Sequence, residues 1–201
     1  MNFLAHLYLS GKEEDVIVGN FIADAVKGNS LQHFPEGVER GIRLHREIDY
    51  YTDKHPVFGE SKNRLTPRYN HFSGIIVDIY YDHFLSKYWN EYSHEDLKRV
   101  VARTYFLLVR KFHILPARSR RILPFMVTQN WLVNYRDLGV LQRVFNGMSR
   151  RTSRPSGMEH AIDDLLADYE QYEDEFRRFF PEIIHHMELY RCNFPAVVPS
   201  E

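Results

Sequence analysis

Apolar residues recur along this chain with the 3.6-residue period of helices, and strictly alternating polar and apolar runs are scarce. The pattern predicts a short apolar helix over 2–9, ending near Ser10-Gly11, and a second over 13–27 stopped by Gly28. Pro35-Glu36 opens a third, which runs through Val38, Ile42, Leu44, Ile48 and Tyr51 to about Asp53, with Pro56 beyond it. A shorter helix over 57–65 leads to Pro67. Residues 73–89 are apolar nearly all round, the pattern of a buried central helix. Ser93, with Asp96 three residues on, is the expected N-cap of a helix over 94–113. Helices over 118–134, 136–149, 157–180 and 181–190 complete the chain. No heptad persists, and no repeat or low-complexity linker interrupts the pattern. The expected fold is one all-α domain over 1–201, a compact multi-helix array rather than a coiled coil.

Composition narrows this picture. A chain of 201 residues fits one domain with a substantial core. Its formal net charge of −1 argues against nucleic acid as a partner. The single cysteine, Cys192, rules out an intrachain disulfide framework and suits a reducing, cytoplasmic compartment. No apolar run reaches the roughly 18 residues that a membrane span requires. The N-terminal apolar stretch is short, has no leading basic residue and carries His6 in its middle, so it does not read as a signal peptide.

The chemistry lies in polar pairs at i, i+4 spacing inside apolar helical stretches. Asn2 and His6 share a face of the first helix, Asn20 and Asp24 of the second, His45 and Asp49 of the third, and Asp78 and Asp82 of the central one. Asp53 continues the third stripe, although it and His55 sit at a helix end where capping or loop roles are expected. Burying an unneutralised carboxylate costs several kcal/mol, so carboxylates repeatedly aimed at the core imply a cation among them. Aspartate with imidazole suits a hard divalent ion such as Mn²⁺ or Mg²⁺, and no cysteine lies near enough in sequence to suggest a thiolate zinc site. Such an ion can activate water and clamp phosphoryl oxygens. A metal-free buried polar network is the competing reading of the same pairs.

At these residues the sequence resembles the acyl carrier protein phosphodiesterases, regarded as unusual members of the HD-type metal phosphohydrolase superfamily. The resemblance runs almost end to end: Met-Asn-Phe-Leu-Ala-His-Leu at 1–7, Gly-Asn-x-x-Ala-Asp-x-Val-x-Gly at 19–28, and Gly-Ile-x-x-His-Arg-x-Ile-Asp-x-x-Thr-Asp at 41–53. It continues with Asp-x-x-x-Asp-His-Phe-Leu at 78–85, Trp-Leu-Val-x-Tyr-Arg-Asp at 131–137 and Asn-Gly-Met-x-x-Arg at 146–151. It implies an HD-like helical fold, a divalent metal with Mn²⁺ preferred over Mg²⁺, and hydrolysis of the phosphodiester joining 4′-phosphopantetheine to a serine of acyl carrier protein. Carried over by position, His6, Asp24 and Asp78 are the implied principal ligands, with His45 and Asp49 completing the site or positioning water and phosphate. Catalytic roles fall to Asp24, His45 and Asp82, and Asn20 and Asp82 are placed to orient ligands. Asn20, Arg46 and Arg68 are implied substrate contacts, Arg46 through its planar fork. The adjacent His-Asp pair of the superfamily is absent; Ala23-Asp24 or the spaced His45 and Asp49 take its place. Segment 67–73 also lacks a double arginine seen in many relatives, with Arg68 or His71 standing in.

Acyl carrier proteins are acidic, and two arginine clusters are candidates for meeting one: Arg118, Arg120 and Arg121, and Arg150, Arg151 and Arg154, within a docking surface over 115–155. Two other functions share these residues: the same metal site acting on a nucleotide or other small phosphoester, and a non-catalytic helical module that binds an acidic partner.

Overall fold

A computed structural model describes residues 2–28, 31–153 and 155–194, and among them it is helical throughout, with no strand. The helices are α1 (Phe3–Leu9), α2 (Glu14–Ile22), α3 (Glu36–Lys54), α4 (Pro56–Tyr69), α5 (Ser73–Lys87), α6 (Trp89–Tyr92), α7 (Leu97–Arg110), α8 (Ala117–Thr128), α9 (Trp131–Asn134), α10 (Leu138–Ser149), α11 (Ala161–Ala167) and α12 (Tyr169–Cys192). The all-α expectation holds. Helix α5 is the buried centre that its sequence predicts: Ile76, Val77, Tyr80, Tyr81, Phe84 and Leu85 are all fully buried. It is packed by α1, α4, α9 and α12.

The expected helix over 118–134 is broken at Asn130, whose φ is 48°, into α8 and α9, and that over 13–27 ends at Ile22 in a 3₁₀ turn. Three further boundaries differ from the sequence pattern, each for a physical reason. Helix α4 passes through Pro67 to Tyr69, where the pattern predicts an end at 65; Thr66 Oγ1 holds the Lys62 carbonyl at 2.8 Å, and Leu65 and Tyr69 are buried by the extra turn. Helix α7 starts at Leu97 because Asp96, not Ser93, caps it, accepting from Arg99 N at 3.1 Å. Ser93 instead accepts from Glu95 N at 3.1 Å in the turn before. Helix α12 runs through Pro181 to Cys192, and the break predicted there falls at Asp168. A mid-helix proline costs about 3 kcal/mol. Against it stand Phe176, Phe179, Phe180, Ile183 and Met187, all fully buried on one stripe that crosses the proline, each worth about 1.5–3 kcal/mol. The stripe wins.

Two features place the functional residues. Helices α2 and α3 cross with their backbones in contact at Gly19 and Gly41: a Cβ on Gly41 would stand 2.2 Å from the Val16 carbonyl oxygen, and one on Gly19 would stand 2.0 Å from that of Val38. Only glycine permits this approach, which sets Asn20 beside His45. Helix α1 is held at both ends. Asp82 of α5 accepts from Leu4 N at 2.8 Å and Ala5 N at 2.9 Å, supplying the cap that α1's own sequence lacks. At the other end Arg191 of α12 donates to the Leu9 carbonyl at 2.7 Å.

Candidate metal centre

His6 from α1 and His45 from α3 stack with ring centroids 4.0 Å apart and planes 22° apart. Asp49, one turn beyond His45, spans both rings, with Oδ1 3.1 Å from His6 Nε2 and Oδ2 3.2 Å from His45 Nε2. Asp24, on the 3₁₀ turn Ala23–Ala25 that ends α2, places Oδ1 3.4 Å from His45 Nε2. Behind the rings Asn20, 2% exposed, places its Oδ1 3.0 Å from His6 Nδ1 and 2.8 Å from His45 Nδ1. His6, His45 and Asp49 each offer a ligand atom, all within 4.8 Å of one another. Two imidazole nitrogens with carboxylate oxygens form a donor set that suits Mn²⁺, Fe²⁺ or Zn²⁺, and Mg²⁺ less well.

Burial and neighbouring charge divide the protons of this centre unequally. Burial, then the neighbouring His45, lowers the His6 pKa to about 4, so His6 is neutral. Burial also opposes charge on His45, but its hydrogen bonds to Asp24 and Asp49 outweigh that and lift its pKa to about 9. The two histidines hold Asp49 far below the usual carboxylate range despite its burial, and the hydrogen bond from His45 lowers Asp24. His45, with its pKa so raised, is the group that faces Asp24 and Asp49 as their cationic partner.

The sign of each shift gives a pH prediction. His45 is raised from 6.5 to about 9, so its contribution to stability is fully present below pH 6.5 and lost as pH climbs to about 9. His6 is lowered from 6.5 to about 4, so its contribution is present above pH 6.5 and lost as pH falls toward 4. Metal-free protein is expected to lose melting temperature on both sides of this point. Saturating Mn²⁺ should flatten the alkaline limb, because the cation replaces the proton. Thermal scans with and without Mn²⁺ read this directly, and an alkaline limb indifferent to the ion would exclude His45 as a ligand.

The remaining expected residues divide. Asp78 and Asp53 line the same cavity as the centre, and burial pushes the Asp78 carboxyl up. Asp78, expected as a principal ligand, stands outside the tight group of three residues that could hold an ion. Asp82 does not line the cavity: it is fully buried beneath α1 and caps it, and burial, offset in part by its two backbone partners, brings its pKa to about 7. Arg68 is drawn away to Asp164, which it meets through both carboxylate oxygens at 2.8 Å. Arg46 donates to the Gly28 carbonyl at 2.8 Å and is not among the cavity-lining residues. His55 is a cap, as expected, accepting from Val57 N at 3.3 Å.

The cavity measures about 1240 Å³ and is walled largely by apolar side chains such as Phe3, Phe21, Ile79, Leu108 and Met126. Arg118 and Arg151, one from each arginine cluster of the sequence, line it, and Arg118 reaches the Asp24 carbonyl at 3.3 Å. Arg154 lies outside the described residues. Sequence reasoning missed Arg143 and Tyr135, which also line the cavity. Arg143 stands alone in α10 and carried no signal. Tyr135 stands in the motif at 131–137 without an assigned role; Asn2 donates to its hydroxyl at 3.1 Å.

Fold and centre together define an all-helical protein with a His/Asp site fit for a divalent metal. Residues 1–183 match the family described as acyl carrier protein phosphodiesterase. Proteins of that name from Salmonella dublin, Enterobacter sp. (strain 638) and Escherichia coli O139:H28 are each 34% identical over 185 residues, covering 92% of this chain and 96% of the relative. The chain belongs to the acyl carrier protein phosphodiesterase family. No solved structure matches it.

Proposed function

We propose that the chain hydrolyses the phosphodiester between 4′-phosphopantetheine and a serine of holo-acyl carrier protein, releasing apo-carrier protein and phosphopantetheine. A divalent metal, Mn²⁺ in preference to Mg²⁺, is held by His6, His45 and Asp49. One observation carries this reading: the ligand group opens on a large apolar cavity that Arg118, Arg143 and Arg151 also line. Membership of a family whose curated relatives are named for this activity supports the substrate. Kinship to HD-type hydrolases is part of the reading, with His45 and Asp49 replacing the adjacent His-Asp pair.

When bound, the cation supplies a water that is nucleophilic at neutral pH and neutralises phosphoryl charge. The chain's own groups supply the rest. Asp24, ionised and more exposed than His45, accepts the proton of the attacking water. Asp78, its pKa raised by burial, holds a proton for the departing serine oxygen. The arginine forks receive phosphate oxygens, and the apolar walls seat the pantetheine arm away from bulk water.

The direct test incubates pure protein with holo-carrier protein and Mn²⁺ and weighs the products. Loss of one phosphopantetheine group is expected, abolished by EDTA and by Asp24→Asn. An unchanged carrier with turnover of nucleotides would favour the small-phosphoester reading instead. Docking is tested at Arg120, Arg121 and Arg150, exposed members of the two clusters that do not line the cavity. Their reversal to Glu is expected to raise KM for carrier protein about tenfold through slower encounter. Turnover of a small phosphodiester should not move. Equal KM values in variant and wild type would place docking elsewhere.

A further inference from the structure

Among the described residues, Asn20 touches both histidines of the candidate centre from behind, and its amide can face only one way. Its Nδ2 donates to the His6 carbonyl at 3.1 Å and to Ser10 Oγ at 2.8 Å. The Ser10 hydroxyl proton is already given to that same carbonyl at 2.8 Å, so Ser10 Oγ must accept from Asn20. A flipped amide would set its oxygen against a carbonyl and a hydroxyl lone pair, at a residue only 2% exposed. The oxygen is therefore fixed toward the rings, where it accepts from Nδ1 of His6 at 3.0 Å and Nδ1 of His45 at 2.8 Å.

We propose that Asn20 is a shared positioning residue, whose single oxygen fixes both imidazoles as the Nδ1–H tautomer so that both Nε2 lone pairs face the metal position. Metal-site histidines ordinarily have separate outer partners. Here one oxygen serves two rings, and it couples them: the stacked pair is held as a unit, with Asp49 closing the Nε2 side. The glycine crossing of α2 and α3 brings that oxygen within reach of His45, while Ser10 and the His6 carbonyl tie it to α1. Asn20 thereby joins the two histidine-bearing helices at the point where their rings must agree. This rests on the metal reading above, but the tautomer is measurable without any metal.

The test is imidazole ¹⁵N NMR with calorimetry, using Zn²⁺ alone as a diamagnetic probe and assigning signals with His6→Gln and His45→Gln. The expected signature is Nδ1–H on His6 in metal-free Asp49→Ala, where no carboxylate competes for the proton at Nε2, and Nδ1–H with metal-shifted Nε2 on both histidines of wild type with Zn²⁺. Asn20→Leu should mix the His6 tautomers and weaken Zn²⁺ binding about 10–100-fold, the usual range for losing a ligand's outer partner. Asn20→Asp, which keeps an oxygen toward both rings but sets its second oxygen against the His6 carbonyl, should restore the Nδ1–H signature and part of the affinity. A merely structural residue would not be rescued in this way. An Nε2–H tautomer on His6 of metal-free Asp49→Ala, or wild-type Zn²⁺ affinity in folded Asn20→Leu, overturns the proposal. If Asn20→Leu does not fold, the spectra of Asp49→Ala and Asn20→Asp decide alone. The expected tautomer in Asp49→Ala with no Zn²⁺ uptake by wild type removes the metal reading and leaves the lock standing.

Discussion

Asp49→Asn is expected to weaken Mn²⁺ binding at least on the order of a hundredfold, since losing a group that merely supports a ligand already costs about 10–100-fold. Asp49 is the carboxylate that meets both rings, one oxygen to each Nε2. Asparagine keeps the shape but removes the anion, and its NH₂ group cannot bind a cation. Hydrolysis of holo-carrier protein should fall to background. The charge loss has a second consequence that separates it from simple unfolding. His45 owes its raised pKa to Asp24 and Asp49 together, so the alkaline loss of stability in metal-free protein should move to lower pH. Calorimetric titration with Mn²⁺ and thermal scans across pH check both. Wild-type affinity in the variant would remove Asp49 from the ligand set and leave the centre without its best-placed anion.

Gly41→Ala is expected to destabilise the protein by about 2–3 kcal/mol, lowering its melting temperature by roughly 5–10 °C. Helix propensity alone predicts the opposite, because alanine in a helix interior is favoured over glycine by about 1 kcal/mol. The surroundings decide: the new Cβ would stand 2.2 Å from the Val16 carbonyl oxygen, 2.8 Å from Asn20 N and 2.9 Å from Gly19 Cα. These are backbone atoms on the partner helix, so no rotamer change relieves the clash and α2 must move off α3. The 2.8 Å contact between Asn20 and His45 goes with it, so metal affinity should fall alongside stability. Gly59→Ala in α4 is the control, since a Cβ there meets nothing within 4 Å, and it should be neutral or slightly stabilising. If both variants melt alike, backbone contact at the crossing does not hold the site together.

How far the sequence foretold these features depends on the range of the interaction involved. Helical periodicity reports local burial, so α5 and the polar stripe of His45, Asp49 and Asp53 were legible. The spacing of Asn20 and Asp24 likewise put both near the centre. Asp82 shares its face with Asp78 by spacing, yet it caps a helix 78 residues away, and nothing within its own turn announces that. Arg68 was lost in the same way, to Asp164 in α11. The breaks misread at Pro67 and Pro181 share a cause: proline marks a local penalty, and burial from distant helices outweighed it. The two glycines of the crossing stood within the quoted motifs, but their purpose shows only once α2 and α3 are seen touching.

The grip of Arg191 on the end of α1 bears on the order in which a ribosome makes this molecule. Every side chain of the ligand group has been synthesised once residue 49 is made. The helix that carries His6, however, receives its Asp82 anchor only later, and its tie to Arg191 more than a hundred residues later still. A nascent chain therefore displays the candidate metal-binding side chains long before it can hold them in register, and the finished centre waits for α12.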